Sequence, residues 1–331
     1  MSSYPYKTSV APMLDWTDRH CRYFHRLLSP QTLLYTEMVT TGAILFGQQD
    51  FLAYNEAEHP VALQLGGSDP EAMARCAALA QQRGYDEVNI NVGCPSDRVQ
   101  NGSFGACLMA QPETVAECVA AMKQVTDIPV TVKTRLGIDE QDSDEFLYRF
   151  LDAVVAAGVD QLTLHARKAW LSGLSPKQNR EIPPLQYDRV YRAKQRYPSV
   201  PMSINGGITT LTEVYHHLTY VESVMIGREA YQNPWLLTEL ATIDEASTIP
   251  SHREAVAVQM IDYIDQHIRG GGRAWHVVRH MLGLFQGQPG GKKWRQYLSI
   301  KGPKADDARA LIEGALAFRE SRETKLADLT S

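Results

Sequence analysis

The strongest constraint on the fold is an alternation. Eight short runs rich in β-branched and aliphatic residues recur at Ser9–Met13, Leu33–Met38, Val61–Leu65, Glu87–Val92, Val130–Thr134, Gln161–His165, Met202–Asn205 and Ser223–Gly227. Between them lie helical patterns, among them Pro70–Arg83, Pro112–Val125, Ser143–Ala157, Leu185–Tyr197 and Leu211–Leu218, the first opened by the cap signal Ser68-Asp69-Pro70. Strand–helix alternation predicts a parallel α/β sheet, and eight such units in about 240 residues is the size of a closed (β/α)8 TIM barrel. A doubly wound open sheet is the alternative. No strand is followed by GxGxxG, which favours the barrel.

Beyond Leu240 the pattern changes. The polar stretch Ala241–Arg253 reads as a linker, and helical periodicity follows in Glu254–Ile268, Ala274–Phe285 and Ala305–Glu323, with glycine-rich breaks at Gly270–Gly272 and Gly287–Gly291. The expected organisation is a barrel over 1–240, a linker over 241–253 and a small α-helical domain over 254–331. No run approaches the roughly 18 apolar residues of a membrane span. The start, Met1-Ser-Ser-Tyr-Pro-Tyr-Lys, lacks a secretory core, so the expected compartment is the cytoplasm. Five cysteines, none spaced as CxxC, argue against a disulfide framework or a zinc site, and no metal is expected.

The strands carry polar residues on one parity. In Val61–Leu65 the apolar set is 61, 63 and 65, leaving Ala62 and Gln64 on the other face. The same alternation leaves Asn89 and Asn91, Thr131 and Lys133, Thr163 and His165, and Ser203 and Asn205 facing the barrel axis, with the most functional group last in each strand. A lysine directed into a barrel costs on the order of several kcal/mol unless an anionic or strongly polar partner accepts its hydrogen bonds. Lys133 therefore implies a bound ligand. Asn205-Gly206-Gly207 and Gly227-Arg228 end the last two strands, where barrels commonly bind phosphate. Together these residues suggest a phosphorylated, ring-bearing cofactor across the barrel mouth.

Asn91-Val92-Gly93-Cys94-Pro95 places a thiol just beyond the fourth strand. An unperturbed thiol stays mostly protonated at neutral pH and can donate a proton. No Ser-His-Asp or Cys-His spacing accompanies Cys94, so general-acid work beside a redox cofactor is favoured over nucleophilic hydrolysis.

At these residues the sequence resembles the tRNA-dihydrouridine synthase family. The matching motifs are Ala11–Arg19 (APMLDWTDR), Gln64–Gly66, Asn89–Ser96 (NINVGCPS), Val132–Arg135, His165–Arg167, Asn205–Gly207 and Gly227–Ala230. Longer strings at Asp97–Gly102, Ala169–Lys177 and Arg279–Gln286 resemble the bacterial A-type branch, the tRNA-dihydrouridine(20/20a) synthases. The resemblance implies FMN held by Ala11, Pro12, Met13, Gln64, Lys133, His165, Asn205, Gly206, Gly207, Gly227 and Arg228, with NADPH as reductant. It also implies that Cys94 donates the proton to uracil C5 while reduced flavin N5 gives hydride to C6, in ping-pong turnover.

The expected macromolecular partner is tRNA, and nothing in the sequence asks for a protein partner. From Pro250 onward 13 Lys/Arg face 9 Asp/Glu, a net of +4, which leaves −9 of the total −5 for residues 1–249. Lys177 and Arg180 follow strand six, and Lys292, Lys293, Arg295, Lys301 and Lys304 cluster in the tail with Trp294 and Tyr297 interleaved, a mixture suited to phosphates and exposed bases. A uridine packed within tRNA must be extruded to reach the pocket, where Asn91 is placed to contact it. Two other enzyme readings are a flavin barrel acting on a free pyrimidine and a Schiff-base aldolase using Lys133. A non-catalytic RNA-binding barrel is the third alternative.

Overall fold

The computed structural model describes residues 4–96, 104–243 and 248–321. The chain packs as two compact units, Met1–Asp15 with Leu33–Gly227, and Trp16–Thr32 with Arg228–Ser331. The first unit is a closed barrel of eight parallel strands in sequence order, with β8 returning to pair with β1. These are β1 (Thr8–Val10), β2 (Leu33–Thr40), β3 (Val61–Gly66), β4 (Glu87–Val92), β5 (Val130–Thr134), β6 (Gln161–His165), β7 (Met202–Asn205) and β8 (Ser223–Ile226).

The central strands coincide with the sequence expectation, because both faces of a barrel strand are buried and the aliphatic alternation is strict. Val61, Leu63, Leu65, Val88 and Val132 are fully buried, and so are the intervening Asn89, Thr131 and Thr163. β1 and β8 stop short of their expected ends, although Ala11 N–H still donates to the Ile226 carbonyl at 2.8 Å. β2 is longer than expected and carries a register shift between Tyr35 and Met38.

α1 (Arg19–Leu28) belongs to the second unit, described below. The barrel's own helices are α2 (Thr41–Phe46), α3 (Pro70–Gln82), α4 (Pro112–Lys123), α5 (Asp144–Ala156), α6 (Tyr187–Arg196) and α7 (Leu211–Leu218). Their starts follow from local chemistry. Asp69 accepts from Ala72 N–H at 2.7 Å with Pro70 in the first turn, and Ser143 accepts from Phe146 N–H at 3.1 Å. Thr210 and Glu213 close a reciprocal capping box.

The second unit differs from the expected 254–331 domain. It includes α1 together with α8 (Arg228–Gln232), α9 (Leu236–Leu240), α10 (Arg253–Arg269), α11 (Ala274–Val278), α12 (Gly291–Lys301) and α13 (Ala308–Glu320). The boundary therefore falls after Gly227, not after residue 240. The cause is specific packing: Asp18 caps α1 through His20 and Cys21 N–H while its other oxygen takes Arg279 at 2.7 Å and His280 at 3.0 Å. Trp16 also stacks on Tyr231 of α8 with centroids 4.4 Å apart.

Within the expected linker, Ala241–Ile243 continue in turns, 244–247 lie outside the described residues, and α10 begins at Arg253. The helix expected over Ala274–Phe285 is only α11 followed by a 3-10 turn, and the last helix starts at Ala308, capped by Asp307. Residues 322 and 323 of that expected helix lie outside the described residues. α12 was not expected, because Gly290 and Gly291 read as a break. Gly290, at φ 76°, instead makes the left-handed turn from which the helix starts.

Candidate active site at the barrel mouth

The interior parity read from the sequence holds in the strand pairing. Gln64 pairs with Asn89 in register, Asn91 with Lys133, Lys133 with Thr163, and His165 with Asn205. Asn91, Lys133, His165 and Asn205 thus ring the C-terminal ends of four consecutive strands. Ala11 is buried and Pro12 and Met13 are half-buried where the chain leaves β1.

Cys94 stands just beyond β4, half-buried, in a loop held from several sides. Its N–H donates to Asn91 Oδ1 at 3.0 Å, its carbonyl accepts from Ala106 N–H at 2.9 Å, and its thiol lies 3.5 Å from Ser96 Oγ. The preceding Gly93 carbonyl takes Arg135 Nε at 2.9 Å. Residues 97–102, one of the motifs of the sequence resemblance, lie outside the described residues.

Asn91 is more occupied than expected. Its Oδ1 accepts from both Gly93 and Cys94 N–H, and its Nδ2 donates to Gln64 Oε1 at 2.8 Å. Its first role is to shape the Cys94 loop, and only the second Nδ2 hydrogen is left for a base.

Arg135 appeared in a matching motif but received no role from the sequence. It is almost fully buried, and besides Gly93 it donates to the carbonyls of Lys168 and Asn179, each at 3.1 Å. Among the described residues neither Lys133 nor Arg135 forms an ion pair with a carboxylate. Burial, then the Arg135 charge, pull the Lys133 ammonium down to about 7, while Cys94 acts in the opposite direction. Burial likewise brings Arg135 down to about 10. His165 is held neutral, far below its ordinary range, by burial first and then by Arg135, Lys133, Arg167 and Arg180. Such concentrated positive charge calls for an anionic ligand.

The glycines after β7 let the chain turn tightly beside His165. Gly206 and Gly207 have φ of 118° and 71°, and a Cβ there would lie 2.7 Å from His165 Cδ2 and 2.5 Å from Leu185 Cδ1. Only glycine lets the backbone pass here, and the Gly206 carbonyl accepts from Tyr187 at 2.7 Å. Asn205 Nδ2 donates to the Met225 carbonyl at 2.8 Å, tying β7 to β8. Gly227 differs: its nearest added-Cβ contact is 4.0 Å, so space alone does not require glycine there. Arg228, the next residue, opens α8.

The loop after β6 is organised by fully buried Asn179, which accepts from Trp170 N–H at 2.7 Å and donates to the Trp170 and Leu174 carbonyls. This leaves Lys177 and Arg180 exposed. In the second unit the basic helix is α12. Lys292 is exposed and Arg295 half-buried, donating to Gln286 at 2.8 Å. Lys293 donates to the Ser321 carbonyl at the end of α13. One expectation fails: Trp294 is not available to a base. It is fully buried, donates Nε1–H to the Met281 carbonyl at 2.9 Å and packs edge-on against Phe285. An i, i+4 apolar position on a basic helix is a core position, and the mixed composition hid that.

Solved structures with a similar fold include 2-naphthoyl-CoA reductase, at TM-score 0.53 and 12% identity over 71% of this chain and 50% of that one. Morphinone reductase aligns at TM-score 0.51 and 14% identity, covering 76% and 90% of the two chains. Curated relatives are far nearer in sequence. A tRNA-dihydrouridine(20/20a) synthase of Shewanella oneidensis is 65% identical, covering 88% of this chain and 87% of its own. Those of Vibrio cholerae and Escherichia coli O6:H1 are each 60% identical, covering 94% and 95% of this chain and 96% of their own. Residues 9–318 match the family described as dihydrouridine synthase (Dus), and the chain belongs to that family.

Proposed function

We propose that this chain reduces uridine to 5,6-dihydrouridine in the D-loop of tRNA, at positions 20 and 20a, its relatives being named tRNA-dihydrouridine(20/20a) synthases. The cofactor is a flavin. We assign it as FMN, with NADPH as its reductant. The observation that carries the reading is a buried cationic cluster, Lys133 and Arg135 around neutral His165, beside the half-buried thiol of Cys94 at a barrel mouth.

The residues fit an FMN. Lys133 lacks a hydrogen-bond acceptor among the described residues, and Gly206 and Gly207 turn the chain at positive φ directly after β7, the kind of glycine turn that suits a phosphate. Ala11, Pro12, Met13, Gln64, Lys133, His165, Asn205, Gly206, Gly207, Gly227 and Arg228 would hold it. When bound, the reduced flavin supplies a hydride to uracil C6.

Cys94 delivers a proton to C5 of the extruded base, and the resulting thiolate is stabilised by the Lys133 and Arg135 charges. Asn91, Gln64 and Arg135 fix the loop that aims the thiol. Phosphates of the tRNA are contacted by Lys177, Arg180, Lys292, Lys293 and Arg295, with base flipping bringing the uracil to Asn91. Among the described residues no helix is long and apolar enough to cross a membrane, and a tRNA substrate implies the cytoplasm.

The test is spectral. The purified protein should be yellow, bleach with NADPH without oxygen, and recover its colour on adding tRNA that lacks dihydrouridine. Recovery with free uridine instead would assign a free pyrimidine as substrate, and a colourless protein that binds tRNA would leave only an RNA-binding barrel.

A further inference from the structure

Inside the first unit a line of side-chain hydrogen bonds runs from the Cys94 loop to the opposite end of β4. The N–H groups of Gly93 and Cys94 donate to Asn91 Oδ1 at 3.1 and 3.0 Å. Asn91 Nδ2 donates to Gln64 Oε1, and Gln64 Nε2 to Asn89 Oδ1, both at 2.8 Å. Asn89 Nδ2 donates to Thr131 Oγ1 at 2.8 Å, and the Thr131 hydroxyl to Glu87 Oε1 at 2.6 Å. Every link points the same way. Glu87 also accepts from the Tyr35 hydroxyl at 2.5 Å and from the Tyr4 hydroxyl at 2.6 Å, and Glu87, Asn89 and Thr131 are fully buried.

The two ends make this direction compulsory. At the top, two fixed backbone N–H groups demand the oxygen of Asn91. At the bottom, burial raises the Glu87 carboxyl above its ordinary value, but three hydroxyl donors, from Thr131, Tyr35 and Tyr4, oppose this and leave both its oxygens accepting. Between them each amide has one arrangement that leaves no donor facing a donor, and a buried unpaired donor is costly. Replace the carboxylate by a group that also donates and Thr131 and Asn89 can turn, which brings the Gln64 and Asn91 NH2 groups into conflict beneath the loop.

We infer that Glu87, remote from the reacting atoms at the opposite end of β4, is a positioning residue that sets the geometry of the Cys94 loop through Thr131, Asn89, Gln64 and Asn91. The kinetic half of this inference rests on the proposed reaction at Cys94; the structural half does not.

The experiment uses the full chain with Glu87→Gln, which keeps size and adds a donor. It measures Cys94 alkylation by iodoacetamide, read on its own peptide by mass spectrometry, alongside kcat and KM for tRNA. The expected result is a several-fold change in Cys94 alkylation and a fall in kcat of about ten- to a hundredfold with KM unchanged, the scale on which small misplacements act. Thr131→Val should give the same signature, because it cuts the line while leaving the Tyr35 and Tyr4 bonds to Glu87 in place, and it carries the test if Glu87→Gln does not fold. Glu87→Asp, which keeps an acceptor, should recover part of the loss. Tyr4→Phe removes a Glu87 partner outside the line, and should lower stability while leaving alkylation and kcat as in the parent. Unchanged alkylation in folded Glu87→Gln and Thr131→Val, or the same changes in Tyr4→Phe, would overturn the inference. A parent protein that reduces no uridine would reject the proposed reaction instead, and the alkylation series would still decide the role of Glu87.

Discussion

Asn91 and Lys133 are register partners on β4 and β5, so the residue whose amide shapes the Cys94 loop is the strand neighbour of the lysine whose ammonium lacks a partner among the described residues. The start of the Cys94 loop and the cation are thereby tied to adjacent strands. Separate consequences follow for each.

Lys133→Ala should weaken FMN retention or slow flavin reduction. Loss of one charge-assisted contact costs about 1.5–3 kcal/mol, so the dissociation constant should rise by roughly ten- to a hundredfold. Because Lys133 titrates near 7 before ligand binds, FMN binding above that pH takes up a proton at this site. Affinity should fall as pH rises through that range in the parent and lose this dependence in the variant. Full flavin content with an unchanged reduction rate would remove Lys133 from the site.

Cys94→Ala should separate the two half-reactions. FMN binding and NADPH oxidation should remain nearly intact while uridine reduction falls by about 10²-fold or more, the usual scale of a general acid. Stopped-flow measurement of each half-reaction decides this. Equal loss in both would make Cys94 a structural residue, in keeping with its backbone bonds to Asn91 and Ala106.

Acid should destabilise the chain before its carboxylates protonate. Burial lowers His20 and His25 from 6.5 to about 3 and holds His165 well below its ordinary value. From pH 6.5 down to about 3 the unfolded chain therefore binds more protons than the folded one, and stability falls as pH falls. The carboxyl of Asp18 is held far down by His280 and Arg279 against its own burial, so the stability it contributes is present above about pH 4 and is lost only at stronger acid. Denaturant titrations at pH 7 and pH 5 should show this loss, and His25→Gln should reduce the slope. A flat profile would mean these histidines are solvated.

The basic tail should dominate tRNA affinity. A net of +4 over the last 82 residues against −9 elsewhere attracts RNA to the tail and repels it from the body. Replacing Lys292, Lys293 and Arg295 together by Ala should flatten the slope of log K against log salt by roughly 2–3 units. Lys293 also holds the end of α13, so the triple variant should lose some thermal stability as well. An unchanged salt slope would move the RNA site to Lys177 and Arg180.

Much of the barrel was legible because each strand is a short aliphatic alternation whose polar positions fall on one face. β4 through β7 were readable to the residue, and Gln64, Asn91, Lys133, His165 and Asn205 all fall on the interior parity. Glu87 was missed because a charged residue at the start of a strand looks like a solvated edge. Only the packing shows that two tyrosines and a threonine surround it. Arg135 was likewise hidden, since its partners are carbonyls from distant loops and leave no trace in local sequence. The placement of α1 with the tail depends on Asp18 meeting Arg279 and His280, more than 260 residues away for the first pair in chain separation. Trp294 shows the reverse error, in which a core aromatic among lysines was taken for a surface one.

The most direct test of the central claim is site-resolved detection of the product. The purified chain with FMN and NADPH would be incubated with tRNA transcribed without modification, and each uridine examined by mass spectrometry of nuclease fragments. Gain of two hydrogens is expected at positions 20 and 20a, the positions in the relatives' names, with near-complete loss of that gain in Cys94→Ala. An active, flavin-loaded protein that oxidises NADPH yet leaves every uridine in the tRNA unchanged would contradict it.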